Sequence, residues 1–163
     1  GHASALTFLI SCGADKECSE LDGFGPIHLA SRAGHTNVVQ ALLEGGVPAD
    51  RAAGPQNLTP LHLAARFGHS AVVDCLLSSV SELETKLALL RAADAEGRTP
   101  LQLSVHKPAC QQHIQSLDAK MQAEKDAAEA RLKAEAKHGR KGGKGKGKGK
   151  GGKSGKAKKA AKK

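Results

Sequence analysis

The sequence predicts an all-α fold: a solenoid of stacked helix-turn-helix repeats, followed by a charged helix and a disordered basic tail. Three observations carry this. The stretch Thr59-Pro60-Leu61-His62-Leu63-Ala64-Ala65-Arg66-Phe67-Gly68-His69 has an earlier copy, Gly25-Pro26-Ile27-His28-Leu29-Ala30-Ser31-Arg32-Ala33-Gly34-His35, and a degraded later one, Thr99-Pro100-Leu101-Gln102-Leu103-Ser104. Pro26 and Pro60 stand 34 residues apart, a period typical of stacked-repeat architectures. After each of the two full copies comes a helical apolar face, Val38, Val39, Leu42 and Leu43 and then Val72, Val73, Leu76 and Leu77. From Gly139 onward, finally, there are twelve Lys/Arg, no Asp/Glu and almost nothing apolar to bury.

Each element follows from its residues. Gly1-His2 stands where a repeat's first helix would be ending, and Ala5, Leu6, Leu9 and Ile10 then form the second helix of a partial first repeat. In the next unit Gly25 occupies the capping position, so that helix starts less firmly. Thr59 suits an N-cap, Pro60 the first helical position, and Gly68 the left-handed residue that ends the helix. Asn57 stands where Gly would otherwise supply positive φ. Pro60 and Pro100 are 40 residues apart, so this unit carries about six extra. Ser81-Glu82-Leu83-Glu84 reads as a capping box with Leu83, Leu87 and Leu90 on one face, which predicts an inserted helix near 82–92. Lys107-Pro108 replaces the Gly-His of earlier copies, and the last unit reads as a C-terminal cap. Ala, Glu, Lys and Gln then predominate to Lys137, all strong helix formers. Ile114, Leu117 and Met121 form a short apolar stripe expected to pack on the last repeat. Beyond it only Ala128, Leu132 and Ala136 continue the stripe, and Lys125–Glu129 and Glu129–Lys133 are i, i+4 pairs. A solvated helix is expected, a coiled-coil strand being the sharper alternative.

These motifs closely resemble the ankyrin repeat family over residues 1–113. The departures are Gly25 for the capping Thr, Val47-Pro48 after Gly46, Gln102 for His, and Lys107-Pro108. The organisation expected is a repeat domain at 1–113 with a partial first repeat, a charged helix at 114–138 and a Lys/Gly-rich tail at 139–163. The resemblance implies partner binding through turn tips and the short inner helices. Those positions hold Leu21, Asp22, Phe24, Arg32 and Ala33, then Pro55, Gln56, Leu58, Arg66 and Phe67, then Ala95, Glu96 and Arg98. Exposed Phe24, Leu58 and Phe67 beside Arg32, Arg66 and Arg98 would make an apolar-plus-arginine strip, the mix that anchors protein interfaces. The plainer alternative is that Phe67 packs on a neighbouring repeat and the arginines are solvated.

The net charge of +9 averages two unlike parts. Residues 1–138 hold thirteen Lys/Arg against sixteen Asp/Glu, a net of −3, and the tail is strongly basic. Such asymmetry points to a polyanion-binding arm or a solubilising tail. Its cations are Arg140, Lys141, Lys144, Lys146, Lys148, Lys150, Lys153, Lys156, Lys158, Lys159, Lys162 and Lys163. Lysine on Gly spacers supplies point charges without bidentate base reading, so nucleic acid or another polyanion would be bound without specificity. An anionic membrane surface is a further alternative. The segment from Lys156 to Lys163 also resembles the basic tails of chromatin proteins and would serve as a nuclear-import signal. Three Phe with no Trp or Tyr exclude a base-stacking platform. No apolar run approaches the ~18 residues that cross a membrane. Cys12, Cys18, Cys75 and Cys110 form no metal-type pairs and read as reduced thiols of an intracellular protein, cytoplasmic or nuclear. The chain lacks an initiator Met and begins inside a repeat, so it is expected to be a fragment.

Sites with sharper chemistry weaken on inspection. Gly147-Lys148-Gly149-Lys150-Gly151-Gly152-Lys153-Ser154 matches a P-loop pattern, but low-complexity sequence stands where the strand and helix are needed. His28 and His62, like His35 and His69, recur at the repeat spacing, and in the family such histidines are structural. His106, Cys110 and His113 would be metal ligands only with a fourth partner, which is not evident. No cofactor, resident metal or catalytic residue is expected. The function expected is a non-enzymatic adaptor or scaffold that binds a protein partner through its concave face, with the tail adding electrostatic attachment. A nucleic-acid-associated protein at a ribosome or on chromatin is the alternative, and a regulatory fragment of a larger enzyme the third.

Overall fold

The computed structural model describes His2, Ser4, Ala5 and residues 23–139, with side chains as far as Ala134. The expected first-repeat face at Leu6, Leu9 and Ile10 lies outside those residues. So do Cys12, Cys18, Leu21, Asp22 and the tail from Arg140. The described residues form seven helices: α1 (Pro26–Ala33), α2 (Thr36–Glu44), α3 (Pro60–Phe67), α4 (Ser70–Ser78), α5 (Leu83–Arg91), α6 (Pro100–Leu103) and α7 (Pro108–Gly139). The chain divides into two compact units, residues 1–127 and 128–163.

In the first unit the period becomes two rows of helices. The inner helices α1, α3 and α6 contact one another in order, and the outer helices α2 and α4 do likewise. Their packing follows from side-chain size. Ala30, Ala64 and Ala65 are buried where inner helices meet, which lets backbones approach closely. Leu61 and Ile27 fill the space between rows, and Val39, Leu42, Val72, Val73, Leu76 and Leu77 fill the outer row. Full burial of such a side chain contributes about 1.5–3 kcal/mol.

Caps and turns set the helix lengths. Thr59 Oγ1 accepts the His62 N–H at 3.4 Å, and Thr99 Oγ1 accepts the Gln102 N–H at the same distance. Gly25 has no side chain to do this. Gly34 (φ 79°) and Gly68 (φ 86°) end α1 and α3 in the left-handed conformation. Asn57 (φ 50°) takes the hairpin position filled by Gly23 and Gly97 in the neighbouring units. Those hairpins stack, the Ala95 N–H donating to the Gln56 carbonyl at 2.9 Å.

The last unit is built differently. Ser81 does not cap α5; Glu82 holds the N-cap position without a side-chain bond to the backbone, and its carboxylate accepts from the Thr85 hydroxyl at 3.2 Å. Leu87, Leu89 and Leu90 of α5 are buried and Leu83 half-buried. α7 starts at Pro108 and places Cys110, Ile114 and Met121 in the core, with Leu117 packed against it. Its polar flank is tied down as well. Arg91 meets Asp118 at 3.1 Å, and His113 Nε2 lies 2.7 Å from Asp74. Lys125 pairs with Glu84 of α5 at 2.9 Å. In the second unit residues 128–134 are exposed, Leu132 at 66%, and Lys133 lies 3.6 Å from Glu129.

Two substitutions separate backbone strain from packing. A Cβ on Gly34 would stand 2.6 Å from His69 Nδ1, whereas one on Gly46 (φ 89°) would meet nothing within 4 Å. Gly46→Ala carries only the left-handed penalty of about 1–2 kcal/mol. Gly34→Ala must also displace the His69 ring. Urea unfolding is expected to show the larger loss for Gly34→Ala.

Candidate partner-binding face

The inner helices are held at fixed spacing by a repeated polar contact. His62 Nδ1 accepts the Thr59 N–H at 3.2 Å and lies 2.7 Å from the Thr59 hydroxyl. Its Nε2 faces the Arg98 carbonyl in the next hairpin at 3.2 Å. His28 is similar at its own helix start, with Nδ1 toward the Gly25 N–H at 3.3 Å, but its Nε2 meets the Arg51 carbonyl at 2.8 Å, in the segment of chain just before the next hairpin. Nδ1 therefore accepts and Nε2–H donates, which requires the neutral ring. Both rings are fully buried. Burial lowers both pKa values below 6.5, outweighing the carbonyl bonds that favour the charged form. These histidines are structural, as their recurrence suggests.

Against this frame the six expected interface residues separate. Leu58 is 3% exposed, which corrects its place in an exposed strip. It exchanges both backbone bonds with Ala53 at 2.9 Å, and this bridge folds it into the hairpin. Phe24 is half-buried, its ring edge-on to His28 with centroids 5.8 Å apart and against Gly54. Arg98 clasps its own hairpin, its guanidinium 2.9 Å from Asp94 and 2.7 Å from Glu96. Burial disfavours the Asp94 charge, yet the Arg98 N–H, the Arg98 guanidinium and the Glu96 N–H outweigh it and hold that carboxyl below the usual range. Arg32, Arg66 and Phe67 are exposed, Phe67 at 43%. Arg32 and Arg66 occupy equivalent positions at the ends of α1 and α3.

Val105, which sequence reading passed over, and His106 and Lys107, which it weighed only for other roles, lie close to the candidate strip. A groove of about 710 Å³ is lined by Arg66 and Phe67 of α3, by Arg98, by Gln102 and Leu103 of α6, and by Val105, His106 and Lys107 after it. Lys107 stands before α7 as His69 stands before α4, its carbonyl taking the Gln111 N–H as that of His69 takes the Val73 N–H. It is therefore the counterpart of His69 and not of Gly68: Thr59 and His69 are ten positions apart, Thr99 and Lys107 only eight. The deletion shortens α6 to one turn and leaves Val105 58% exposed. It also puts the Lys107 stem over Gly68, where His69 lies over Gly34 in the preceding unit.

The metal trio does not assemble. Cys110 is buried in the core, His113 bonds to Asp74 and His106 is exposed in the groove. Burial pushes the Cys110 and Cys75 thiols up, with help from Asp74 and Glu44 respectively, which disfavours the thiolates a metal needs. The P-loop-like stretch lies outside the described residues.

The neutral histidines make stability depend on pH. The unfolded chain holds its histidine protons more tightly, so stability is full above about pH 6.5 and falls as pH drops toward the lowered folded values. Urea midpoints are expected to decline from about pH 7 to about pH 5. The decline should shrink in His28→Gln/His62→Gln.

Comparison with known proteins agrees with the geometry. The family model for ankyrin repeats, three copies long, matches residues 1–87 of the 163. No curated protein matches the sequence. Among the described residues no helix is long and apolar enough to cross a membrane. The matched repeats, the Thr-Pro helix starts and the paired inner and outer helices establish that this chain belongs to the ankyrin repeat family.

Proposed function

We propose that the chain is a non-enzymatic adaptor that holds a protein partner against its inner-helix face, with the basic tail adding electrostatic attachment. Ankyrin repeats are in general protein–protein interaction modules, and a rigid row of helices offers an extended surface. One observation carries the reading to particular residues. Arg32 and Arg66 recur at the repeat spacing, are exposed, and form no ion pair among the described residues. Phe67 stands beside Arg66 as an exposed aromatic. Arginine and aromatic side chains dominate binding energy at protein interfaces. Leu58, being buried, supports this face from below. Cys75 and Cys110 are free, which suits an intracellular setting.

The twelve tail cations, from Arg140 to Lys163, favour a second reading in which the protein associates with RNA or DNA. The two readings respond to different changes. Arg32→Ala/Arg66→Ala/Phe67→Ala is expected to reduce co-purification of protein partners about tenfold or more, with an unchanged circular dichroism melt. Truncation after residue 138 is expected to remove polyanion binding, whose log affinity should fall with log salt at about −0.7 to −0.9 per phosphate neutralised. Partner capture unaffected by the triple substitution would contradict the adaptor reading.

A further inference from the structure

We propose that the groove between α3 and α6 takes an acidic segment of a protein partner. One large apolar side chain of that segment seats between Phe67 and Val105, and flanking carboxylates meet Arg66 and Lys107. The proposal rests on the interaction reading above and names the chemistry of the partner.

The groove is a consequence of the two-residue deletion. At the junction of α1 and α3, the His69 ring covers Gly34 and its Nε2 is spent on the Arg32 carbonyl at 3.1 Å. At the next junction the Lys107 stem covers Gly68, and its ammonium meets no acidic side chain among the described residues. The earlier junction thus uses up its polar group internally, and the later one leaves a charge facing solvent.

Charge and apolar surface agree on the occupant. Among the described residues no carboxylate lines the groove. Arg98 is offset by Asp94 and Glu96, which leaves Arg66 and Lys107 as the available cations, with His106 beside them. The arginine fork fits a carboxylate with two parallel bonds. Among the described residues three large apolar side chains are exposed, Phe67, Val105 and Leu132, and two of them lie here. A single Phe beside a Val offers no series of stacking rings, so the groove suits a peptide better than single-stranded nucleic acid.

The test uses the full chain and a fluorescein-labelled peptide of glutamates around one central leucine. Excess poly-glutamate occupies the basic tail, and a peptide with serine in place of the leucine serves as reference. Anisotropy is expected to show a leucine-dependent component that poly-glutamate does not displace. Phe67→Ser, Val105→Ser, Arg66→Glu and Lys107→Glu should each weaken it about tenfold, or about 1.4 kcal/mol, with unaltered thermal melts. Equal binding of the two peptides, or affinity indifferent to these four variants, overturns the proposal. Displacement of the leucine peptide by oligouridylate at comparable concentration overturns it in favour of nucleic acid. If Arg32→Glu releases the peptide while the groove variants retain it, the inner face stands and the groove falls. If none of the five variants has any effect, both readings fall.

Discussion

The structure depends on a buried imidazole that must remain neutral. At His28 and His62 one ring nitrogen accepts from the start of its own helix and the other donates to a carbonyl of the following unit, Arg51 just before its hairpin in one case and Arg98 in its hairpin in the other. Few side chains carry an acceptor and a donor on opposite edges of a rigid plane. Histidine does so in the uncharged form only. The ring therefore caps a helix and sets the spacing to the following repeat at once. The last unit shows what happens when the second task disappears. Gln102 Oε1 accepts the Thr99 N–H at 2.8 Å, and the side chain is exposed. After it the chain supplies α7 in place of another hairpin, so the acceptor half alone suffices.

With spacing fixed by the rings, the core has only to fill the intervals. Alanines between inner helices and Val/Leu pairs along the outer row do so with few large side chains, which explains how three Phe and no Trp or Tyr suffice. α7 ends the stack by presenting Cys110, Ile114 and Met121 to it and polar residues to water. A His113–Asp74 hydrogen bond to α4 and two ion pairs to α5 orient it, and at the surface each contributes little alone. The inserted α5 thus gives the long C-terminal helix a second surface to lie on.

What the sequence disclosed and what it hid divide by distance along the chain. The period, the Thr-Pro helix starts, the left-handed glycines and Asn57 were legible because each is decided within a few residues. Leu58 was misplaced because it shares its position with Phe24 and Arg98, and no local rule says that one of the three turns inward. The contact of Lys125 with Glu84 was hidden because the two stand 41 residues apart, beyond the reach of any i, i+4 rule. Lys107-Pro108 read as a lost Gly-His motif, and Val105 carried no signal. Their significance appears only when Thr99 to Lys107 is counted against Thr59 to His69, and when Lys107 is seen lying over Gly68. Partner surface, unlike scaffold, is set by such departures from the repeat.

Long-range proton–nitrogen NMR spectra of the imidazole rings address the neutral-ring constraint most directly. Near pH 7 the account predicts that His28 and His62 each show a single neutral tautomer, protonated at Nε2 with a bare Nδ1. Shifts averaged between tautomers, or rings titrating freely near the ordinary histidine value, would contradict it.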